Sequence, residues 1–174
     1  MKLLAMFTII LTFFFGKLTT AQMPSEWHDD AAERLAGTWK VGGQIMGRDA
    51  HHLIEAEWVL NHQFLRLHEK TAPDAPAGER HYEAIWFLGY DRVSERYVLH
   101  LMDVFGARFS ETLGYGIREG NRIRFVFEYP DGPFHTSFVW NPETNAWEWL
   151  MEQKTEDGKW SQFADLKLTR IAAP

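Results

Sequence analysis

Eight histidines are scattered along the 174 residues, at positions 28, 51, 52, 62, 68, 81, 100 and 135. Imidazole serves metals, haem and acid–base chemistry alike, so spacing decides what these side chains can do together. Successive side chains of an extended chain point to opposite faces, which separates His51 from His52. His62 and His68 share a face but lie six residues apart, about 20 Å along a strand. Neither His-x-His nor His-Glu-x-x-His occurs. A metal assembled across strands would leave no such motif, but none of the spacings asks for a metal or another cofactor, and none is expected. Most of the histidines read as surface residues.

Two polar pairs stand apart from that background. Arg66 and His68 fall on one face of a run whose other face carries Leu65 and Leu67. Facing inward, the guanidinium would need an anion, either a partner carboxylate or an acidic ligand. Facing outward, both are ordinary surface residues. The alternation leaves both readings open, because each face of the run is partly apolar. His100 and Asp103 have opposite parity and do not form a simple same-face dyad. Asp103 also suits capping of the turn that follows. If the chain is an enzyme, His100, Asp103 and His68 are the groups on which its acid–base chemistry would rest.

Other chemistry finds little support. Glu55 with Glu57, and Glu148 with Glu152, are same-face carboxylate pairs, but they lie opposite the apolar stripes Ile54-Ala56-Trp58-Leu60 and Trp147-Trp149-Met151. Glycosidase chemistry needs carboxylates that converge on a cleft, so these are solvated faces. No nucleophile motif and no phosphate-binding Gly-x-Gly-x-x-Gly is present. The aromatic content is the stronger signal: 22 aromatic residues follow position 21. Core packing accounts for most of them. Trp58, Trp86, Tyr115 and Phe127 are the candidates for lining a ligand space.

The elements that must carry these side chains are mostly strands. Residues 23–35 suit a short helix, capped by Ser25 or by Asp30 with Glu33 three positions on. Beyond Gly37, strand-length runs span 37–46, 51–60, 62–70, 80–89, 95–103, 107–118, 121–129, 134–141, 146–155 and 159–170. Turn residues separate them, among them Gly120-Asn121, Asp131-Gly132 and Asp157-Gly158. Ten short strands in series describe an all-β, antiparallel up-and-down meander, and closure into a barrel removes its exposed edges. Eight strands already hold one small ligand, so ten predict a ligand-sized interior. The longest connection, 71–78, is a lid or, more simply, a solvated loop.

The first 21 residues read as a signal peptide: Lys2, an apolar run over 3–15, then Thr19-Thr20-Ala21 before a cleavage point. The run falls short of the ~20 residues of a membrane-spanning helix. With no cysteine in the chain, neither a lipidated anchor nor a disulfide can form. The expected product is periplasmic or secreted, with no stable membrane anchor after cleavage, and its oligomeric state is open. Loss of Lys2 and Lys17 takes the formal charge from −6 to −8. That excess of acid argues against nucleic acid as a partner. The organisation expected is a signal peptide over 1–21, an N-terminal segment with its short helix over 22–36, and one barrel over 37–174.

"RLAGTWKVGG", residues 34–43, adds a family likeness. A Gly-x-Trp at the first strand after a short helix, here Gly37 and Trp39, resembles the opening of lipocalins and their calycin relatives. In those proteins the tryptophan packs across the closed end of the barrel and the glycine allows close approach. The ordered series "LAGTWK", "EWVLNHQFLRL", "GYDRVSERYV", "LMD" and "LKLTR" resembles a bacterial family of secreted lipocalin-like barrels known only as a domain of unknown function. Asp103 matches that family's aspartate after the fifth strand. The chain is less similar to the haem-binding nitrobindins: it reads "KVGGQIMG" after the shared Gly-Thr-Trp, and no histidine lies in its last strand. The resemblance implies a barrel that binds or carries a small, largely apolar or amphipathic molecule. Trp58, Arg66, His68, Trp86, His100, Tyr115 and Phe127 are the residues expected to meet it. The alternatives are a small-molecule enzyme (isomerase, cyclase or hydrolase) in the same barrel, and a protein-interaction module with a filled interior.

Overall fold

A computed structural model describes residues 25–172. The proposed signal peptide lies outside the described residues. Residues 25–29 are not helical, and the first helix, α1, runs only over Asp30–Leu35. Neither Ser25 nor Asp30 caps it. Asp29 does, its side chain accepting from the backbone N–H groups of Ala31 and Ala32 at 3.0 and 2.9 Å. The helix is short because Ala31, Ala32 and Leu35 are all the apolar surface it has to bury, and packing, rather than propensity, sustains so short an element.

Ten strands follow: β1 (Gly37–Ile45), β2 (Arg48–Val59), β3 (Phe64–Thr71), β4 (Glu83–Asp91), β5 (Arg96–Asp103), β6 (Gly114–Glu119), β7 (Arg122–Tyr129), β8 (Gly132–Asn141), β9 (Ala146–Lys154) and β10 (Trp160–Arg170). Each pairs antiparallel with its neighbours in sequence. β1 then pairs β10, from Trp39↔Arg170 to Ile45↔Ala164, and the sheet is a closed barrel. No unpaired edge remains among these strands. Among the strands, the expected sixth, over 107–118, is the one misplaced. After Asp103 the chain turns through Gly106, at φ 87°, into a second short helix, α2 (Ala107–Ser110), and returns to the sheet only at Gly114. β5 and β6 therefore pair over Tyr97–Leu99 alone.

Alternation sets the interior. Trp39 and Val41, Ile54 and Ala56, Leu65 and Leu67, Trp147 and Trp149, Leu166 and Leu168 all point inward and are buried. The α1 end is plugged. Trp39 donates its indole N–H to Leu35 O at 2.7 Å, and the Arg170 guanidinium lies 4.2 Å over its ring. Gly37, at φ 124°, leaves room for that guanidinium: a Cβ there would meet Arg170 Nη1 at 2.4 Å. The middle of the barrel is filled by rings, with Trp149 against Trp86 (5.5 Å) and Phe138 (5.1 Å), and Phe125 against Tyr97 (6.4 Å). A wide interior was expected from ten strands. Fully buried indoles and phenyl rings occupy its middle. What polar chemistry the interior has is concentrated toward the end opposite α1.

Candidate functional site at the upper end of the barrel

At the end away from α1, β2 and β3 turn two polar side chains inward among apolar ones. His52 shares its face with Ala50 and Ile54; Glu69 shares its face with Leu65 and Leu67. Both are buried, His52 at 4 % and Glu69 at 1 % exposure. His52 Nδ1 lies 2.7 Å from Glu69 Oε1. The other carboxylate oxygen, Oε2, accepts from Trp86 Nε1–H at 3.1 Å. Glu69 is thus held from two sides, and it in turn fixes the imidazole ring. His52 Nε2 has no hydrogen-bond partner among the described residues, and it is not one of the fully enclosed unpaired atoms. One nitrogen is anchored by a carboxylate; the other is free to meet a ligand or a proton.

Around this pair stand Tyr82, Asp103 and Tyr129. The Tyr82 ring stacks on His52 at 5.3 Å, and its backbone is pinned by a Tyr82 N–H to Thr71 Oγ1 bond of 2.8 Å. Burial, with Glu69 and Asp103 nearby, raises the Tyr82 hydroxyl far above its ordinary value. Burial also pushes Tyr129 up to about 12, with Asp103 adding to it. Asp103 ends β5 on the inward parity. Its carboxyl is raised by burial and by the Glu69 charge, against a lowering bond from Phe105 N–H. The phenols stay protonated donors at neutral pH. An aromatic wall continues outward from here: Phe105 lies 6.1 Å from Tyr82, Phe109 of α2 packs edge-on to Tyr129 at 5.8 Å, and Phe127 stacks beneath Tyr129 at 5.4 Å.

The residues expected to meet a ligand divide between the two faces. Trp86 and Phe127 point into the barrel. Arg66 and His68 point outward, where Arg66 pairs with Glu57 and His68 Nε2 lies 2.6 Å from Glu83. That settles the open face of β3: the guanidinium finds its anion on β2, across the outer surface. His100 also faces outward, its Nε2 2.8 Å from Ser110 O, where it ties α2 to β5. Tyr115 is outside too, with the Arg96 guanidinium 3.7 Å over its ring. Trp58 lies at the α1 end, edge-on to Trp27 at 5.3 Å. Leu60, expected to continue the buried stripe, sits in the following turn and is exposed. Of the conditional catalytic set, only Asp103 reaches the interior, so His100, Asp103 and His68 do not come together. The longest connection is no free lid. Ala72 N–H bonds His51 O at 2.8 Å, Asp74 pairs with Lys40 at 2.8 Å, and Glu79 holds both the backbone and the ring of His51.

His52 and Glu69 were missed as a pair, yet parity carried the signal. His52 continues the stripe of Ile54, Ala56 and Trp58, and Glu69 that of Leu65 and Leu67. Two titratable side chains on apolar stripes of adjacent strands invite pairing. Comparison with protein-family models finds no match, and comparison with curated proteins finds none either.

Proposed function

We propose that the barrel binds a small, largely apolar molecule at its upper end, with one polar group of that molecule on His52 Nε2. A closed β-barrel suits ligand binding in general. The observation that carries the finer reading is the buried His52–Glu69 pair. A buried ion-forming pair is costly to build and adds little stability of its own, and this one is oriented by a third group, Trp86, with one nitrogen left unpaired. Tyr82, Tyr129 and Phe105 supply an aromatic surround for the apolar part of the molecule. The likeness to secreted lipocalin-like barrels supports the same reading. Export directed by residues 1–21 belongs to the proposal and places binding outside the cytoplasm; N-terminal sequencing of the exported chain tests it.

Native mass spectrometry of the chain purified from its own source, followed by denaturing extraction, is the direct experiment. The expected result is a stoichiometric small molecule, retained by the native chain and lost from His52→Phe. A clean mass, together with no displacement of an apolar fluorescent dye by any member of a lipid, terpenoid and aromatic-acid panel, would overturn the proposal.

The same dyad favours one second reading, in which His52 acts as a general base on the bound molecule with Glu69 fixing its orientation. Proton abstraction next to a carbonyl, as in an isomerase or cyclase, is the class of reaction it fits. Chemical change of the extracted molecule on incubation, abolished in His52→Gln with binding kept, separates catalysis from carriage.

A further inference from the structure

A second polar cluster lies at the opposite end of the barrel, beside α1. Three side chains from separate parts of the chain converge there. His28 comes from the segment before α1, Glu33 from α1 itself, and His62 from the β2–β3 turn. His28 Nδ1 is 3.4 Å and His62 Nε2 is 3.1 Å from Glu33 Oε1. One ligand atom from each lies within 4.8 Å of the other two. Bonds of about 2.0–2.2 Å to a tetrahedral ion put neighbouring ligand atoms about 3.4 Å apart, which is the scale of the two shorter separations. We propose that His28, Glu33 and His62 form an open binding site for a divalent transition-metal ion, of zinc-like preference, with its remaining position facing solvent.

The groups behind the three ligands are those that a metal site needs. Glu33 Oε2 accepts from Trp58 Nε1–H at 3.1 Å, leaving Oε1 for the ion. His28 Nε2 lies 3.3 Å from Glu26, a carboxylate that can fix the tautomer and leave the Nδ1 lone pair for the ion. The His62 ring stacks on Trp58 at 3.8 Å with an interplanar angle of 16°. His62 is held there at φ 58°, after Leu60 and Asn61 at φ 52° and 54°. Three successive left-handed residues without glycine are costly. The turn aims its imidazole at Glu33, and Trp27 N–H bonds His62 O at 3.1 Å to secure it. Two imidazoles and one carboxylate favour zinc, nickel, cobalt(II) or copper(II) over magnesium or calcium. Bound there, the ion would clamp the N-terminal segment and α1 to the β2–β3 turn. The inference does not depend on what occupies the upper end, which the His52→Phe variant tests separately.

The experiment is titration of the chelator-stripped chain with cobalt(II), read by visible absorption, and with zinc, read by calorimetry and by thermal unfolding. One ion per chain, intense low-symmetry cobalt bands and a rise in melting temperature with zinc are expected. His28→Ala and His62→Asn should each abolish the cobalt bands. Asparagine tolerates the left-handed backbone, so the second variant keeps the turn. Glu33→Gln preserves the Trp58 acceptor and should weaken binding, and Glu26→Gln should weaken it by about tenfold. His51→Ala should leave it unchanged. Absence of stoichiometric binding in the folded wild-type chain would overturn the proposal. So would binding that survives the double variant His28→Ala with His62→Asn.

Discussion

Glu69 accepts from the Trp86 indole and pairs with His52 at almost no exposure, so its environment can be dissected one side chain at a time. Replacing His52 by Phe fits the stacked space beside Tyr82 but strands a buried carboxylate. A loss of about 3–5 kcal/mol follows from breaking such a pair. Replacing both partners, His52→Phe with Glu69→Leu, removes the stranded charge, and most of the loss should return. Trp86→Phe deletes one donor and should cost about 1–3 kcal/mol. Urea unfolding of the four proteins checks the pattern. A double variant no more stable than His52→Phe would mean that the pair does not act as a unit. Parity made these two residues legible in principle, because each breaks an otherwise apolar stripe. Arg66 and His68 were ambiguous for the opposite reason: in "FLRLHEKT" both faces carry apolar atoms, and only the carboxylates on neighbouring strands decide the side.

Elements differ in how fully the sequence declares them. Hairpins with tight turns were readable because glycine, asparagine and aspartate punctuate them. α2 was not, since "ARFSETLGYG" has strand-like composition, and the detour combines a local turn at Asp103 with the tertiary His100–Ser110 bond. β1 owes its close fit to Gly43. Its φ is 148°, and a Cβ there would sit 2.1 Å from Asp165 O on β10. Gly43→Ala must push the two strands apart at the seam, and a loss of more than about 2 kcal/mol is expected by denaturant unfolding. α1 is tied to β6 by charge. The bond from Arg118 holds the Asp30 carboxyl near 2, against an ordinary 3.8. A depressed carboxyl contributes stability above its unfolded value and loses it as pH falls toward the folded one. That contribution should therefore vanish between about pH 4 and 2. Asp30 is about half exposed, so solvent limits it to under about 1 kcal/mol. Asp30→Asn should flatten the acid limb of the stability curve over that window while changing the neutral value only slightly. An unchanged limb would place the tie elsewhere.

Closure distinguishes the whole molecule from its parts. Nine of the ten strand pairings join neighbours in sequence, whereas β1 and β10 join residues 119 to 131 positions apart, such as Val41 and Leu168. Bringing those ends together costs chain entropy that no local hairpin has to meet. Hairpins such as β4–β5, where Leu88 faces Leu99, can form first and reward themselves early. The seam should accordingly be the last part of the barrel to consolidate. Leu168 and Leu88 are both fully buried, and truncation of either to alanine should cost about 3 kcal/mol. The two losses should divide differently between the rates. Leu168→Ala should leave the folding rate nearly unchanged and raise the unfolding rate about 100-fold, because its contacts are absent from the transition state. Leu88→Ala should slow folding substantially. Chevron plots of the two variants read this directly. Equal slowing of folding in both would mean that the seam already forms in the transition state, and that closure organises the meander rather than completing it.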